Sequence, residues 1–588
     1  MTILSSLVNA YERLPDAPPF GYSSEKIGFV ISLNEDGSVA HVIDWREGEG
    51  RKARSRLMAV PQAVKRTAGI SPNFMWDKTS YVLGVTAGEG KRTAEEHRAF
   101  VERHLEAIGN TGDAGLRALR AFLENWQPDS FGPPLWPDEM KDQNVVFVLE
   151  SERRGDTFLH DRPAARALWA RLADAGSDDD GQICLVSGDE GAIARLHPSI
   201  KGVWGAQSSG AALVSFNLDA FTSYGHEQGD NAPVSTAAAF AYTTALNRFL
   251  EKDSGHRLQI GDASTVFWAD ASDLSAARLS EALFFSFFGG DDATAEQAEE
   301  KAARESLGVY LARIRQGLPL AEIEPTLSEG VRFYILGLAP NAARISVRFF
   351  FADSFGVLVK NYQSFVEAMR IEPPPRDGFP PVWRYLQETA VLGKRENVPP
   401  NLAGEWMRSI LSGIRFPLTL LSAVLTRIRA DGRIDALRSS MLRGLLIRNF
   451  NREVPVAFDP ANKNKGYLLG RLFAVYEQIQ VAALGRNLNA GIRDKYYGSA
   501  STQPRKVFAL LDSGAANHLS KVGKQRPGHR VNLEKQIAAI MALMSPGDDP
   551  FPTTLAADEQ ALFGLGYYHQ RNEFFNKTDG AVASGEDA

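Results

Sequence analysis

Between Phe221 and Ser235 the sequence reads FTSYGHEQGDNAPVS, which sets Ser223, Tyr224, His226, Gln228 and Asn231 close together. Hydroxyls and amides at that density suit hydrogen bonding to a polar ligand, and Gly225, Gly229 and Pro233 exclude regular structure. Binding groups concentrate in loops held by rigid neighbours, although a solvated loop that satisfies only its own backbone is the bland alternative. A second stretch, SPNFMWDK, crowds Asn73, Phe74, Trp76 and Lys78 behind Lys65 and Arg66. Amides and cations beside aromatic rings suit base edges and stacked bases. Lys65, Arg66, Asn73, Phe74 and Lys78 therefore join Ser223, Tyr224, Gln228 and Asn231 as candidate binding residues. Phe74 and Trp76 fit a core as well.

Patterns that carry catalysis are missing or incomplete. The nearest approach to a P-loop, GVTAGEGKRT from Gly84, spaces its glycines one residue too far apart and has Arg92 where a hydroxyl belongs. His97 and His104 lie seven apart with no evident third ligand, and read as helix-surface polar residues. Asp270 and Asp273 could be part of a two-metal nuclease site, which requires further converging carboxylates. There is no G-x-S-x-G elbow. Cys184, in the apolar run ICLVS, has no histidine near it in sequence and reads as a small buried hydrophobe; as the single cysteine it excludes an internal disulfide framework. The expectation is a non-catalytic protein without metal or cofactor.

Charge is segregated along the chain. The net charge is −6 over 588 residues, yet residues 401–535 hold 22 Lys and Arg against 9 Asp and Glu. A basic block on an acidic protein is the footprint of a phosphate-backbone groove; a solvated helical face usually carries both signs in balance. Arg427, Arg429, Arg443 and Arg448 on helices, with Lys521, Lys524, Arg526 and Arg530 in a Gly/Pro-punctuated loop, are the backbone-contact candidates. Aromatics beside cations recur at Lys495-Tyr496-Tyr497 and from Tyr567 to Arg571, with Tyr567 assigned to bundle packing.

These groups need a scaffold, and the pattern predicts an α+β fold. An amphipathic helix at the N-terminus is followed by a hairpin, KIGFVISL and SVAHVIDW, turning at Asn34-Glu35-Asp36-Gly37. Helices are predicted over Arg92 to Ile108, Asp113 to Trp126 and Ser235 to Leu250, with strands at VVFVLE and Ala211 to Phe216. Asp178 to Asp180 and Gly290 to Glu300 read as exposed acidic loops or helix starts. VRFYILGLAP and RISVRFFF form a second strand pair. Residues 1–375 are assigned to an α/β region, 376–400 to a Pro-rich connector, 401–575 to a basic helical bundle and 576–588 to a disordered tail. No apolar run reaches the length of a membrane span, so the expected location is cytoplasmic, with no membrane partner.

Long ordered segments carry a resemblance. VPQAVKRTAGISPNFMWDKTSYVLGV (Val60 to Val85), the loop at Phe221, RISVRFFFADSFG (Arg344 to Gly356), KGYLLGRLFAVYEQIQ (Lys465 to Gln480) and ALFGLGYYHQR (Ala561 to Arg571) resemble the large subunit of the type I-C (Dvulg subtype) CRISPR surveillance complex, Cascade. The resemblance implies recognition of a protospacer-adjacent motif (PAM) by the α/β part, duplex opening and R-loop stabilisation. It also implies a C-terminal helical part bordering the displaced strand. Implied partners are double-stranded target DNA and its displaced strand, crRNA-bearing backbone subunits, a crRNA-processing subunit and a recruited helicase-nuclease. Small-subunit copies made from an internal start of the same gene complete the set, with Met407 and Met441 as visible internal methionines. A metal-dependent nuclease and a protein-only scaffold are the alternatives.

Overall fold

The computed structural model describes residues 2–582 apart from 15–16, 49–52, 65, 67–68, 156, 175–181, 289–300, 329, 377, 486–488 and 546. Lys65 and the two acidic runs, Asp178 to Asp180 and Gly290 to Glu300, lie outside the described residues. The fold is mixed α+β, as the pattern predicts, in two compact units: Met1–Ile200 with Ala212–Arg248, and Lys201–Ala211 with Phe249–Ala588. No described helix is long and apolar enough to cross a membrane.

In the first unit, α1 (Ile3–Arg13) is capped by Thr2, whose hydroxyl accepts the Ser5 N–H. Strand β1 (Tyr22–Ile27) pairs antiparallel with β4 (Arg56–Pro61). β2 (Phe29–Leu33), β3 (Val39–Asp44), β5 (Trp76–Lys78) and β6 (Asn144–Leu149) form a sheet in the order β3-β2-β6-β5. β2 and β6 run parallel at its centre and are apolar along nearly their whole length, because both of their faces are covered. The short helix α2 (Thr79–Val82) follows β5, and α3 (Thr93–Ile108), α4 (Ala114–Asn125) and α5 (Pro163–Asp174) supply Phe100, Leu119, Phe122 and Leu168 to a core with Ile31 and Phe147. Asp113 fixes the start of α4: its carboxylate accepts the Leu116 N–H at 2.9 Å and pairs with Arg162 at 2.9 Å. β7 (Gln182–Ile183) and β8 (Glu190–Gly191) pair briefly, and α6 (Thr236–Leu250) contains the division between the units. The strand expected from Ala211 to Phe216 is absent; that segment is irregular apart from bridge positions at its start.

His104 is not the surface residue its spacing suggests. It is fully buried: Nδ1–H donates to the Phe100 carbonyl at 2.7 Å, and Nε2 accepts the N–H of Met75, a buried residue with φ +62°, at 2.8 Å. Burial pushes the pKa values of His104 and His160 in the first unit, and His569 in the second, down to about 4. An unfolded histidine titrates near 6.5, so between roughly pH 6.5 and 4 the unfolded chain binds more protons and stability falls as pH falls. Going from pH 6 to 5, each histidine removes about 1 kcal/mol. Scanning calorimetry should show the first unit, with two such groups, losing about twice as much from this source as the second, an asymmetry that His104→Gln reduces.

The second unit opens on an antiparallel sheet, β9 (Arg257–Ile260), β10 (Ala263–Asp270), β11 (Arg332–Asn341) and β12 (Arg344–Ser354), in the order β12-β11-β10-β9. Phe267, Phe333, Ile335 and Phe349 point from it into one continuous core. Against it lie α7 (Leu274–Phe288), α8 (Lys301–Arg315), the short α9 (Leu320–Ile323) and α10 (Pro325–Ser328), and α11 (Phe355–Met369). Then follow α12 (Val382–Gln387), α13 (Pro400–Ser412), α14 (Leu418–Asp431), α15 (Ala436–Phe450), α16 (Lys465–Leu484), α17 (Ile492–Thr502), α18 (Pro504–Gln525), α19 (Pro527–Ala542) and α20 (Ala557–Val582).

The Pro-rich stretch does not divide the unit. Phe365 on α11 meets Trp406 and Phe416 beyond it, Glu372 N–H donates to the Val456 carbonyl at 2.8 Å, and Tyr568 donates to the Pro373 carbonyl at 2.6 Å. The final helix also continues through Val582, where a tail was expected from residue 576. Within the bundle, α16 and α20 approach backbone to backbone. A Cβ on Gly470 would stand 2.0 Å from the Phe563 carbonyl, and one on Gly566 would stand 2.0 Å from the Tyr467 carbonyl. The segments KGYLLG and ALFGLGYYHQR are therefore two halves of one helix contact.

Candidate nucleic-acid interface

The segment from Arg66 to Lys78 spends most of its polar groups on itself. Asp77, 1% exposed, pairs with the Arg66 guanidinium and accepts the Asn73 N–H at 2.8 Å. Arg66 also donates to the Ser71 carbonyl at 2.7 Å and stacks over Tyr81. Asn73 is buried, its Oδ1 accepting the Val64 N–H at 2.9 Å. Phe74 is fully buried between His104 and Trp169, so it is a core residue and not a stacking platform. Of the described candidates here Arg66 and Lys78 are exposed, and the Arg66 guanidinium is already engaged. Burial pushes the Asp77 carboxyl up, with the Arg66 cation opposing it. Arg66→Ala leaves a buried carboxylate without its counter-charge and should cost the first unit about 3 kcal/mol. Thermal melting checks this; an unchanged melting temperature would return Arg66 to the surface-contact set.

The Phe221–Ser235 loop is braced in the same manner. Asn231 Oδ1 accepts the Ser223 N–H at 3.1 Å, and its Nδ2 donates to the carbonyls of His226 at 3.0 Å and Gln228 at 3.1 Å. Gln228 Oε1 accepts from Arg195 at 2.5 Å, and His226 pairs with Asp230 at 2.5 Å. The Asn231 amide is thereby consumed in shaping the turn, and Gln228 is tied to a neighbour. What the bracing displays is Tyr224, 100% exposed with φ +51° and followed by Gly225 at φ +81°. Arg195 and Asp230, which sequence reasoning passed over, set this geometry, and nothing local in the sequence marks them.

The basic block of residues 401–535 is partly neutralised in space by carboxylates outside it. Arg438 pairs with Glu388 at 3.0 Å, Arg452 with Asp558 at 2.7 Å, Lys465 with Asp548 at 2.5 Å, and Arg505 with Asp549. Among the candidates, Arg443 is buried and donates to the carbonyls of Val454, Glu367 and Ala368, burial lowering its pKa. Arg448 donates to Ser364 Oγ at 3.0 Å and the Ile414 carbonyl at 2.9 Å. Arg427 pairs with Asp431 at 3.4 Å, and Arg429 donates to the Leu425 carbonyl at 3.1 Å. Arg443 and Arg448 thus tie separate elements together, Arg429 also reaches Gln560 on the last helix at 3.4 Å, and Arg427 is engaged within its own helix.

Lys521, Lys524, Arg526 and Arg530 differ. They sit at a tight corner, not a loop: α18 ends at Gln525, Arg526 is the single intervening residue with its N–H on the Val522 carbonyl at 2.7 Å, and Pro527 starts α19. Buried Leu519, Val522 and Leu533 hold the corner from beneath. Arg530 folds back over Gly523, where a Cβ would stand 2.7 Å from its Cδ, and pairs with Glu534 at 2.8 Å. Lys521, Lys524 and Arg526 are exposed and make no ion pair among the described residues. Cations at the end of α18 offset its dipole, but Arg526 and Arg530 also crowd the positive end of α19. The run from Lys521 to Arg530 contains no Asp or Glu. Helix stability alone does not call for that concentration of charge.

Asp273, half of the possible nuclease pair, accepts from the Ser275 N–H at 2.9 Å and hydroxyl at 2.7 Å at the start of α7. Among the described residues no three His, Cys, Asp or Glu side chains are grouped to hold a metal. Cys184 is buried and accepts the Ser235 N–H at 3.2 Å.

No curated protein matches the chain. The family described as CRISPR-associated protein (Cas_Csd1) matches residues 7–575. A match running from the first helix to the last, through both units and the basic corner, shows that the chain belongs to this CRISPR-associated family.

Proposed function

We propose that the chain is the non-catalytic DNA-recognition subunit of a type I-C CRISPR RNA-guided surveillance complex in the cytoplasm. In this reading the first unit recognises the PAM and promotes duplex opening, with Tyr224, Ser223 and Lys78 as its available contact groups. The second unit stabilises the R-loop through the cations of the α18–α19 corner. Guide RNA pairing reads the remaining sequence, so the protein needs few base contacts and many backbone contacts. Its partners are the crRNA-bearing backbone subunits, the crRNA-processing subunit, the helicase-nuclease it helps recruit, and small-subunit copies from an internal start.

The observation that carries this reading is the exposed cation set Lys521, Lys524 and Arg526, which has no carboxylate partner among the described residues. The test is DNA binding by the purified complex across a salt series, since backbone contacts give a linear fall of log K with log salt. A protein-only scaffold predicts no such slope. A nuclease predicts cleavage of labelled DNA with Mg²⁺ or Mn²⁺ that Asp270→Ala abolishes.

A further inference from the structure

We propose that Val391 and Leu392 form an anchor that inserts into an apolar pocket, rimmed by carboxylates, on another protein subunit of the assembly. Leu392 has φ +59°, in the left-handed region that disfavours a branched L-residue, and it is 80% exposed; Val391 beside it is 51% exposed. Among the described residues only Tyr224 likewise combines positive φ with a large exposed hydrophobic side chain.

The turn is held in this state. Asn397 Nδ2 donates to the Val391 carbonyl at 2.9 Å, the Gly393 N–H donates to the Ala390 carbonyl at 3.2 Å, and Gly393 itself has φ +63°. Beneath the tip, Leu386 and Ala390 are buried, and the Thr389 hydroxyl donates to the Leu386 carbonyl at 2.7 Å. The backbone is thus braced with the aliphatic side chains outward. Asn would fit the left-handed conformation better, and any polar side chain would suit water better. Folding uses neither the strain nor the exposure, which leaves recognition as their use.

The chemistry of the tip selects the partner. A branched aliphatic side chain has no π face to stack on a base and no donor or acceptor to read an edge, so nucleic acid is not its ligand. Two aliphatic side chains fall short of a membrane anchor. A protein pocket fits, with an apolar centre for Leu392 and a polar rim. Lys394 stands next to the tip, 4.0 Å from Glu396 at the outer limit of an ion pair, so its charge is available to a carboxylate on that rim.

This inference rests on the proposed membership of a multisubunit complex, and the test separates the two. A photoreactive phenylalanine placed at position 392, in the complex reconstituted with its co-encoded subunits and crRNA, should crosslink to one protein subunit other than this chain. Leu392→Asn should raise the melting temperature of the isolated chain by about 2 °C, because it relieves the left-handed strain. The same variant should weaken incorporation into the complex by about tenfold or more. Crosslinks to nucleic acid or to a second copy of this chain would overturn the proposal. So would the absence of a crosslink, or normal incorporation of the Asn variant. An assembled, DNA-binding complex without a crosslink at 392 would refute the anchor and leave the DNA-recognition reading standing; a chain that joins no complex would refute both.

Discussion

Replacing Lys521, Lys524 and Arg526 together by Ala flattens the salt dependence of DNA binding by about 2.7 units of log K per unit of log salt on duplex, or about 2 on a single strand, if each cation neutralises one phosphate. Between 50 and 200 mM salt the wild-type complex then loses about 40-fold more affinity than the variant. Sequence preference is unchanged, because phosphate contacts position a protein without reading bases. Stability is also nearly unchanged, since the three side chains are exposed and the corner is held by buried Leu519, Val522 and Leu533. Arg443→Ala should behave in the opposite manner. Its guanidinium satisfies three carbonyls inside the bundle, so its loss lowers stability and leaves the salt slope alone. A triple variant with the wild-type slope would reduce the corner to a solvated, dipole-compensating helix end. Salt titrations of the three proteins by fluorescence anisotropy decide between these outcomes.

Those two variants differ because sequence shows where charge lies in the chain and not where it lies in space. The excess of Lys and Arg over residues 401–535 is plain in the sequence, but Glu388, Asp548, Asp549 and Asp558, which neutralise part of it, lie outside that window. The same limit applies to amides. Asn73 and Asn231 have the right chemistry for base edges, yet each is engaged by a turn that no local pattern reveals. Regular elements were more legible: Asp113 caps the helix it was expected to open, and both predicted hairpins formed, since their signals are periodic and local. Proline misled in the opposite sense. The stretch from Ile371 to Pro381 breaks helices as proline must, but a broken helix can still pack, and this one is held to the bundle through Glu372 and Pro373. The last helix, inside the predicted bundle, shows no helical period for a related reason: every residue from Ala561 to Gln570 is buried, so it has no polar face to create one.

Gly470→Ala should destabilise the second unit by about 3 kcal/mol, the upper part of the range for overpacking, although Ala favours a helix over Gly by about 1 kcal/mol. The reason is what surrounds the new methyl. Its neighbours would be the Phe563 carbonyl at 2.0 Å and the Tyr567 amide nitrogen at 2.8 Å, both backbone atoms of a helix that cannot rotate aside as a side chain could. Relief requires α16 and α20 to separate, which loosens Phe473 from Phe563 and Tyr567 and disturbs the Tyr467–His569 hydrogen bond of 2.9 Å. Gly566→Ala approaches the same contact from the other helix, so the double variant should cost less than the sum of the two singles. Gly514 on α18 is the control: nothing lies within 4 Å of its added Cβ, and Gly514→Ala should stabilise the same unit by up to about 1 kcal/mol. Scanning calorimetry of the intact chain compares the four variants on one transition. Equal effects at 470 and 514 would mean that the glycines serve only backbone flexibility and that the close approach of the two helices contributes nothing to stability.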